Sequence, residues 1–251
     1  MAEFVRVHHD ANDVTLILNQ PGSRNALSHE LLTALENALA TQINPATSSV
    51  TITGEGDCFS AGADYRELTG TIKDLRIDEN IAMVTDSIRS LNIPVTALIN
   101  GACLGGAVDL ALSCDQRIAT NKAYFQVPAS RLGLLYNPVS MQHMVLRYGK
   151  VLVSRLMVAG ERFDAKAALA AGLVSSITDE NGEGTAESEQ LSDTEMTLSP
   201  VAKATARMIE AIDEDKFDLE YWEQIRREFL SSKERFEAVA EFQSRMRSKR
   251  A

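Results

Sequence analysis

Residues 93–115, IPVTALINGACLGGAVDLALSCD, decide how the rest of the chain is read. The first seven, IPVTALI, are an apolar run rich in β-branched residues, which predicts a short buried strand. Asn100-Gly101 interrupts it. Gly105-Gly106 then opens a second apolar segment, AVDLALS, with helical spacing and one carboxylate, Asp109. Strand, glycine turn and helix start, in that order, leave unpaired N–H groups at the helix N-terminus. Together with the helix dipole they favour an anion, or an oxygen that becomes one during a reaction. Glycine admits such a ligand close to the backbone because no Cβ stands in the way.

Outward from this stretch, strands and helices alternate. Val14–Leu18 reads as a strand, and 29–41 as a helix with Leu31, Leu32, Leu35 and Leu39 on one face and Ser28 as its cap. Val50–Thr53 is a second strand running into the loop GEGDCFSAGAD, residues 54–64. Residues 75–91 read as a long helix, 117–119 and 124–127 as short strands, and 138–148 and 151–159 as helices. Asp164 starts another helix that Gly172 ends. The alternation predicts an α/β fold with a largely parallel sheet.

From about Ala186 the strands stop, and 186–198, 201–214, 219–230 and 233–247 all read as helices. The expected division is a core over 1–185 and a helical C-terminal region over 186–251. Residues 179–195 are strongly acidic and read as a solvated connection. Trp222, Ile225, Phe229, Phe236, Val239 and Phe242 give the last helices too much apolar surface to stand alone. They pack either on a core of their own or on another subunit, and a homo-oligomer is expected.

Composition narrows the classes. A chain of 251 residues that is 45% hydrophobic can bury one large core. A net charge of −10 argues against a general nucleic-acid binder and requires that any polyanionic ligand be met by local positive charge. The chain has no membrane-spanning run and no signal-peptide core at MAEFVRVHHD. Its three cysteines, Cys58, Cys103 and Cys114, fit a reduced, cytoplasmic setting. None of His8, His9, His29 and His143 has a partner at metal-ligand or triad spacing, so no metal is expected.

FSAGADYREL (59–68), INGACLGGAVDLALSCD (99–115) and FQVPASRLGLLYNP (125–138) resemble the three signature regions of the enoyl-CoA hydratase/isomerase family, the crotonases. FDAKAALAAGLV (163–174) is similar to that family's later helix and strand. The resemblance implies a spiral of repeated ββα units with a helical C-terminal region, assembled as trimers or pairs of trimers. It implies a coenzyme A thioester as substrate, with no separately bound cofactor. It places an oxyanion hole on the N–H groups of Ala61 and Gly106, and a coenzyme A cradle at Arg24 and Ala26 and at Ala63, Asp64 and Tyr65. Arg24 and Arg66 are its phosphate candidates.

Departures from that pattern bear on the reaction. Hydratases of the family resemble one another in carrying two glutamates; here the positions hold Asp109 and Ala129. Adding water across a double bond needs one group to activate the water and one to deliver a proton, and alanine does neither. The stretch around Tyr136 and the C-terminal YWEQIRREFLSSKERFEAVAEFQSRMR look more like the methylmalonyl-CoA decarboxylase branch, although Ala63 and Val127 stand where that branch carries a histidine and a polar residue. The expected activity is decarboxylation of a short malonyl-type acyl-CoA by a lyase in which Asp109 and Tyr136 act. The alternatives are a hydratase or isomerase using Asp109 alone, and a non-catalytic acyl-CoA binder.

Overall fold

The computed structural model describes residues 3–178 and 199–248. The chain opens with a hairpin of β1 (Val5–Asp10) and β2 (Asp13–Leu18), followed by α1 (His29–Gln42). Three ββα units follow. They are β3 (Ser49–Gly54), β4 (Cys58–Ser60) and α2 (Leu75–Ser90); then β5 (Val95–Ile99), β6 (Ala102–Leu104) and α3 (Gly106–Ser113); then β7 (Gln116–Thr120), β8 (Tyr124–Gln126) and α4 (Pro138–Tyr148). After α5 (Lys150–Met157) come β9 (Phe163–Asp164), α6 (Ala165–Ala170) and β10 (Ser176–Thr178). The described chain ends in α7 (Pro200–Asp213), α8 (Leu219–Leu230) and α9 (Lys233–Ser248).

Each unit gives its first strand to one sheet and its second to another. The larger sheet runs β1-β2-β3-β5-β7-β10 and is parallel apart from the β1/β2 pair. The smaller runs β4-β6-β8-β9, parallel except at β8/β9. This is the ββα spiral expected from the sequence. Its consequence for the site is direct: β4, β6 and β8 are parallel neighbours, so the loops leaving their C-terminal ends gather on one side.

The core explains why these residues form these elements. Leu16, Leu18, Ile52, Ala97 and Ile99 alternate inward along the large sheet, and Leu31 and Leu35 of α1 close over them. Every residue of α3 is buried, as its all-round apolar sequence requires. Ser28 Oγ accepts the Leu31 N–H (3.2 Å) and caps α1, and Asp164 caps α6 through the Ala167 N–H (2.8 Å).

The expected helices agree with α1, α2 and α4–α9 to within a residue or two, apart from 186–198. That helix, the acidic stretch and the 185/186 boundary lie outside the described residues. The short strands β4 and β6 sit where only loop and turn were expected, and β1 precedes the first expected strand. Trp222 belongs to the common core, with Ile225 and Phe229 packed against it, so α8 docks on the spiral instead of building a core of its own. No helix among the described residues is long and apolar enough to cross a membrane.

Candidate active site

Three backbone segments meet beyond β4 and β6. Residues 24–28 and 61–64 are zipped together: Leu27 N–H donates to Gly62 O (2.8 Å), Asp64 N–H to Leu27 O (3.4 Å), and Leu27 faces Ala63 in a parallel bridge. The third segment is the Gly105-Gly106 turn. Gly62 has φ +79° and lies so close to it that an added Cβ would sit 2.4 Å from the Leu104 carbonyl oxygen. Only glycine fits there. Asn25, buried with φ +53°, holds the first segment in place. Its amide donates to Cys58 O (2.7 Å) and Glu55 O (3.0 Å), and its oxygen accepts from Gln20 N–H (2.9 Å).

The amides in this corner are not equivalent. Ala61 N–H donates to the Arg24 carbonyl oxygen at 2.9 Å. That hydrogen bond ties two loops together and removes Ala61 as an oxyanion donor, correcting the expectation from sequence. Ala63 N–H and Gly106 N–H, by contrast, meet no acceptor among the described residues. Gly105, the cap of α3, has φ +53° and offers no side-chain hydrogen bond, so the first amides of that helix stay open. The pair of free donors is therefore Ala63 and Gly106. Ala63 moves from the coenzyme A cradle to the centre of the site.

One turn into α3, Asp109 is 3% exposed. Burial pushes its carboxyl up to about 6, against the opposing pull of a hydrogen bond from Ser140 and the charge of Arg89. Tyr136 is buried nearby, and burial, then the charge of Asp109, raise its phenol well above the ordinary range. It stays a neutral donor. Its hydroxyl has no partner among the described residues. Ala129 is buried in the short helical turn after Pro128, so no carboxylate enters from that side. Asp109 and Tyr136 thus lie close together, with Ser140, Asp78 and Arg226 as neighbours that no sequence signal marks.

The cradle residues divide. Ala26 is buried beside Leu27. Asp64, also buried, accepts the Arg66 N–H (2.9 Å) and the Arg66 guanidinium, so both side chains shape their own loop. Tyr65 packs edge-on against Phe242 of α9, ring centroids 6.2 Å apart. Arg24 is exposed, with its guanidinium hydrogen-bonded to the Tyr124 side chain. The three cysteines are free and buried, and burial raises each thiol, so none is a poised nucleophile.

The site is thus a pair of adjoining glycine turns with unpaired amides on a two-sheet ββα spiral. The enoyl-CoA hydratase/isomerase family model matches residues 10–243, and the chain belongs to that family. It is 33% identical over 178 residues to 2,3-dehydroadipyl-CoA hydratase of Escherichia coli K12, covering 70% of this chain and 69% of that one. It is also 33% identical over 168 residues to the mitochondrial enoyl-CoA hydratase of Pongo abelii, covering 66% of this chain but only 58% of that one. The solved structure of methylmalonyl-CoA decarboxylase in complex with 2-nitronate-propionyl-CoA superposes with a TM-score of 0.77 over 98% of this chain and 97% of that one. At 22% identity that likeness concerns the fold.

Proposed function

We propose that the protein is an acyl-CoA enzyme that stabilises a thioester enolate, and that it decarboxylates a short malonyl-type acyl-CoA. The observation that carries this reading is the buried acid of α3: burial pushes Asp109 up to about 6 beside a neutral Tyr136, with Ala129 where a second carboxylate would be needed. The thioester oxygen lies against Ala63 N–H and Gly106 N–H. As the bond from the α-carbon to the carboxylate breaks, its electron pair moves into the thioester and CO2 leaves. The two amides meet the charge that builds on oxygen; losing one such donor raises a barrier by about 3–4 kcal/mol. Tyr136 donates to the departing carboxylate and holds it out of the thioester plane. Asp109 in its protonated form then gives a proton to the α-carbon.

Hydration is the second reading, favoured by the names of the sequence relatives. In that case Asp109 works without a partner base. A panel of malonyl-, methylmalonyl-, ethylmalonyl- and crotonyl-CoA, followed for CO2 release and for loss of double-bond absorbance, decides between them. Tyr136→Phe should lower CO2 release about 10²-fold or more. Loss of crotonyl-CoA absorbance without CO2 from any malonyl thioester rejects decarboxylation. Binding of every thioester with turnover of none rejects both. Exposed Val151 and Phe236 support a homo-oligomer, with a trimer or pair of trimers expected by sedimentation.

A further inference from the structure

Asp109 lies one turn beyond the Gly106 amide and also borders a space of its own. It lines a cavity of about 220 Å3 between α2, α3 and α4, whose other walls include Arg89, Ser113, His143, Arg147 and Tyr148. The cavity runs from buried to exposed. Asp109 is 3% exposed at its inner wall, while His143 is exposed at its mouth. Ser140, which hydrogen-bonds the Asp109 side chain, precedes His143 by three residues on α4, so the two share a helix face. The His143 ring has no hydrogen-bond partner among the described residues. At roughly 30 Å3 per molecule, the space is large enough for several waters.

Decarboxylation consumes a proton at every turnover: a carbon–carbon bond becomes a carbon–hydrogen bond and CO2 departs. Asp109 supplies that proton and must regain one from solvent. With a thioester seated on the amides, replacement has to arrive from another side. We propose that this cavity is the proton-entry route to Asp109, with His143 at its mouth passing protons from solvent through water to the carboxylate. The inference rests on the decarboxylase reading.

The surrounding charges suit a relay. Arg89 is engaged by Ser113 Oγ (2.8 Å) and Asp86 (2.5 Å), and Arg147 lies 4.0 Å from Asp115. Asp78 and Asp86 of α2 raise Asp109 while Arg89 lowers it. Burial, then Arg89, hold His143 below its usual 6.5, and Asp86 opposes them. Burial thus draws the two groups towards one another, His143 downwards and Asp109 upwards.

The test is His143→Ala in the full-length protein, assayed for CO2 release near pH 7 in a buffer too bulky for the cavity. Turnover should fall about tenfold, less than the ~10²–10⁴ lost with a proton-transfer group itself, while KM holds. Added imidazole should restore it saturably in His143→Ala and leave Asp109→Asn unrescued. Turnover within twofold of wild type overturns the proposal, as does a loss that imidazole does not repair. A wild type that releases no CO2 overturns the parent reading, and this one falls with it.

Discussion

α3 and the α8–α9 pair are held to the same spiral by opposite means. All eight residues of α3 are buried, and its contacts are overwhelmingly apolar. α8 and α9 bury two arginines, each 2% exposed at the side chain. Arg235 reaches Asp74 at 2.6 Å and the Leu132 carbonyl at 2.9 Å; Arg226 reaches Asp78 at 2.6 Å. Gln243 adds hydrogen bonds to the carbonyls of Tyr65 and Leu68, both 2.8 Å. Apolar burial has no direction, so it holds α3 in place without steering any side chain. Ion pairs are directional. The ion pairs end on Asp74 and on Asp78 of α2, while the hydrogen bonds of Gln243 and Arg235 end on the loop after the Ala61–Asp64 turn and on the turn that leads to Tyr136, so the clasp fixes both flanks of the amide corner.

The directional clasp depends most on Asp74. Its carboxylate also accepts Thr69 N–H (2.7 Å), Thr69 Oγ1 (2.6 Å) and Gly70 N–H (3.0 Å), so Asp74→Leu orphans several donors along with the Arg235 charge. Breaking a buried pair costs about 3–5 kcal/mol, and Asp74→Leu belongs at the upper end. Arg235→Met leaves Asp74 with three donors and belongs at the lower end. Urea midpoints of the two variants give the order. Equal, sub-kilocalorie losses would show that the clasp is packing alone and that the directional account is wrong.

Asp109 is the one ionisable residue of α3, and its effect on stability has a sign. Its carboxyl titrates at the ordinary 3.8 when unfolded and near 6 in the fold. Below 3.8 both states hold the proton and the difference vanishes. As pH rises towards 6 the unfolded chain has already released it, so stability falls and stays reduced above that value. The penalty is about 3 kcal/mol. Asp109→Asn should therefore be more stable than wild type near pH 7.5, by up to that amount, and should lose the advantage near pH 4. An advantage independent of pH would mean that the carboxylate does not titrate as its burial requires. A retained destabilising acid in an otherwise apolar helix is the pattern expected of a group kept for chemistry.

What the sequence made legible follows the same division. α1, β3, β5 and α8 carry runs long enough for periodicity to show. β4 and β6 are three residues each and owe their existence to parallel partners 44 residues apart for β4/β6 and 22 for β6/β8, so no local pattern marks them. The open amide of Gly106 was readable because glycines and the apolar run lie side by side. Ala61 and Ala63 are indistinguishable on that footing: which amide is spent depends on the Arg24 carbonyl, reached only across a loop pairing. Asn25, a non-glycine residue with positive φ and three polar contacts, is the side chain whose type carried an unused signal, since asparagine tolerates that conformation better than most. Ser140 offered none, because its tie to Asp109 spans two helices.

The smallest effect sharpens the contrast from the apolar side. Ser28 caps α1 with a polar contact, yet α1 is held by Leu31, Leu32, Leu35 and Leu39 beneath the sheet. Ser28→Ala removes one acceptor from an amide at the first turn and should cost about 1 kcal/mol. It leaves no charge unpaired, and the helix keeps its buried face. The shift in urea midpoint should be a fraction of that for Arg235→Met, with CO2 release or hydration unchanged if α1 stays seated. Should Ser28→Ala match Arg235→Met, the leucine face would not be anchoring α1. The polar contacts of the core and of the clasp would then be doing the same job.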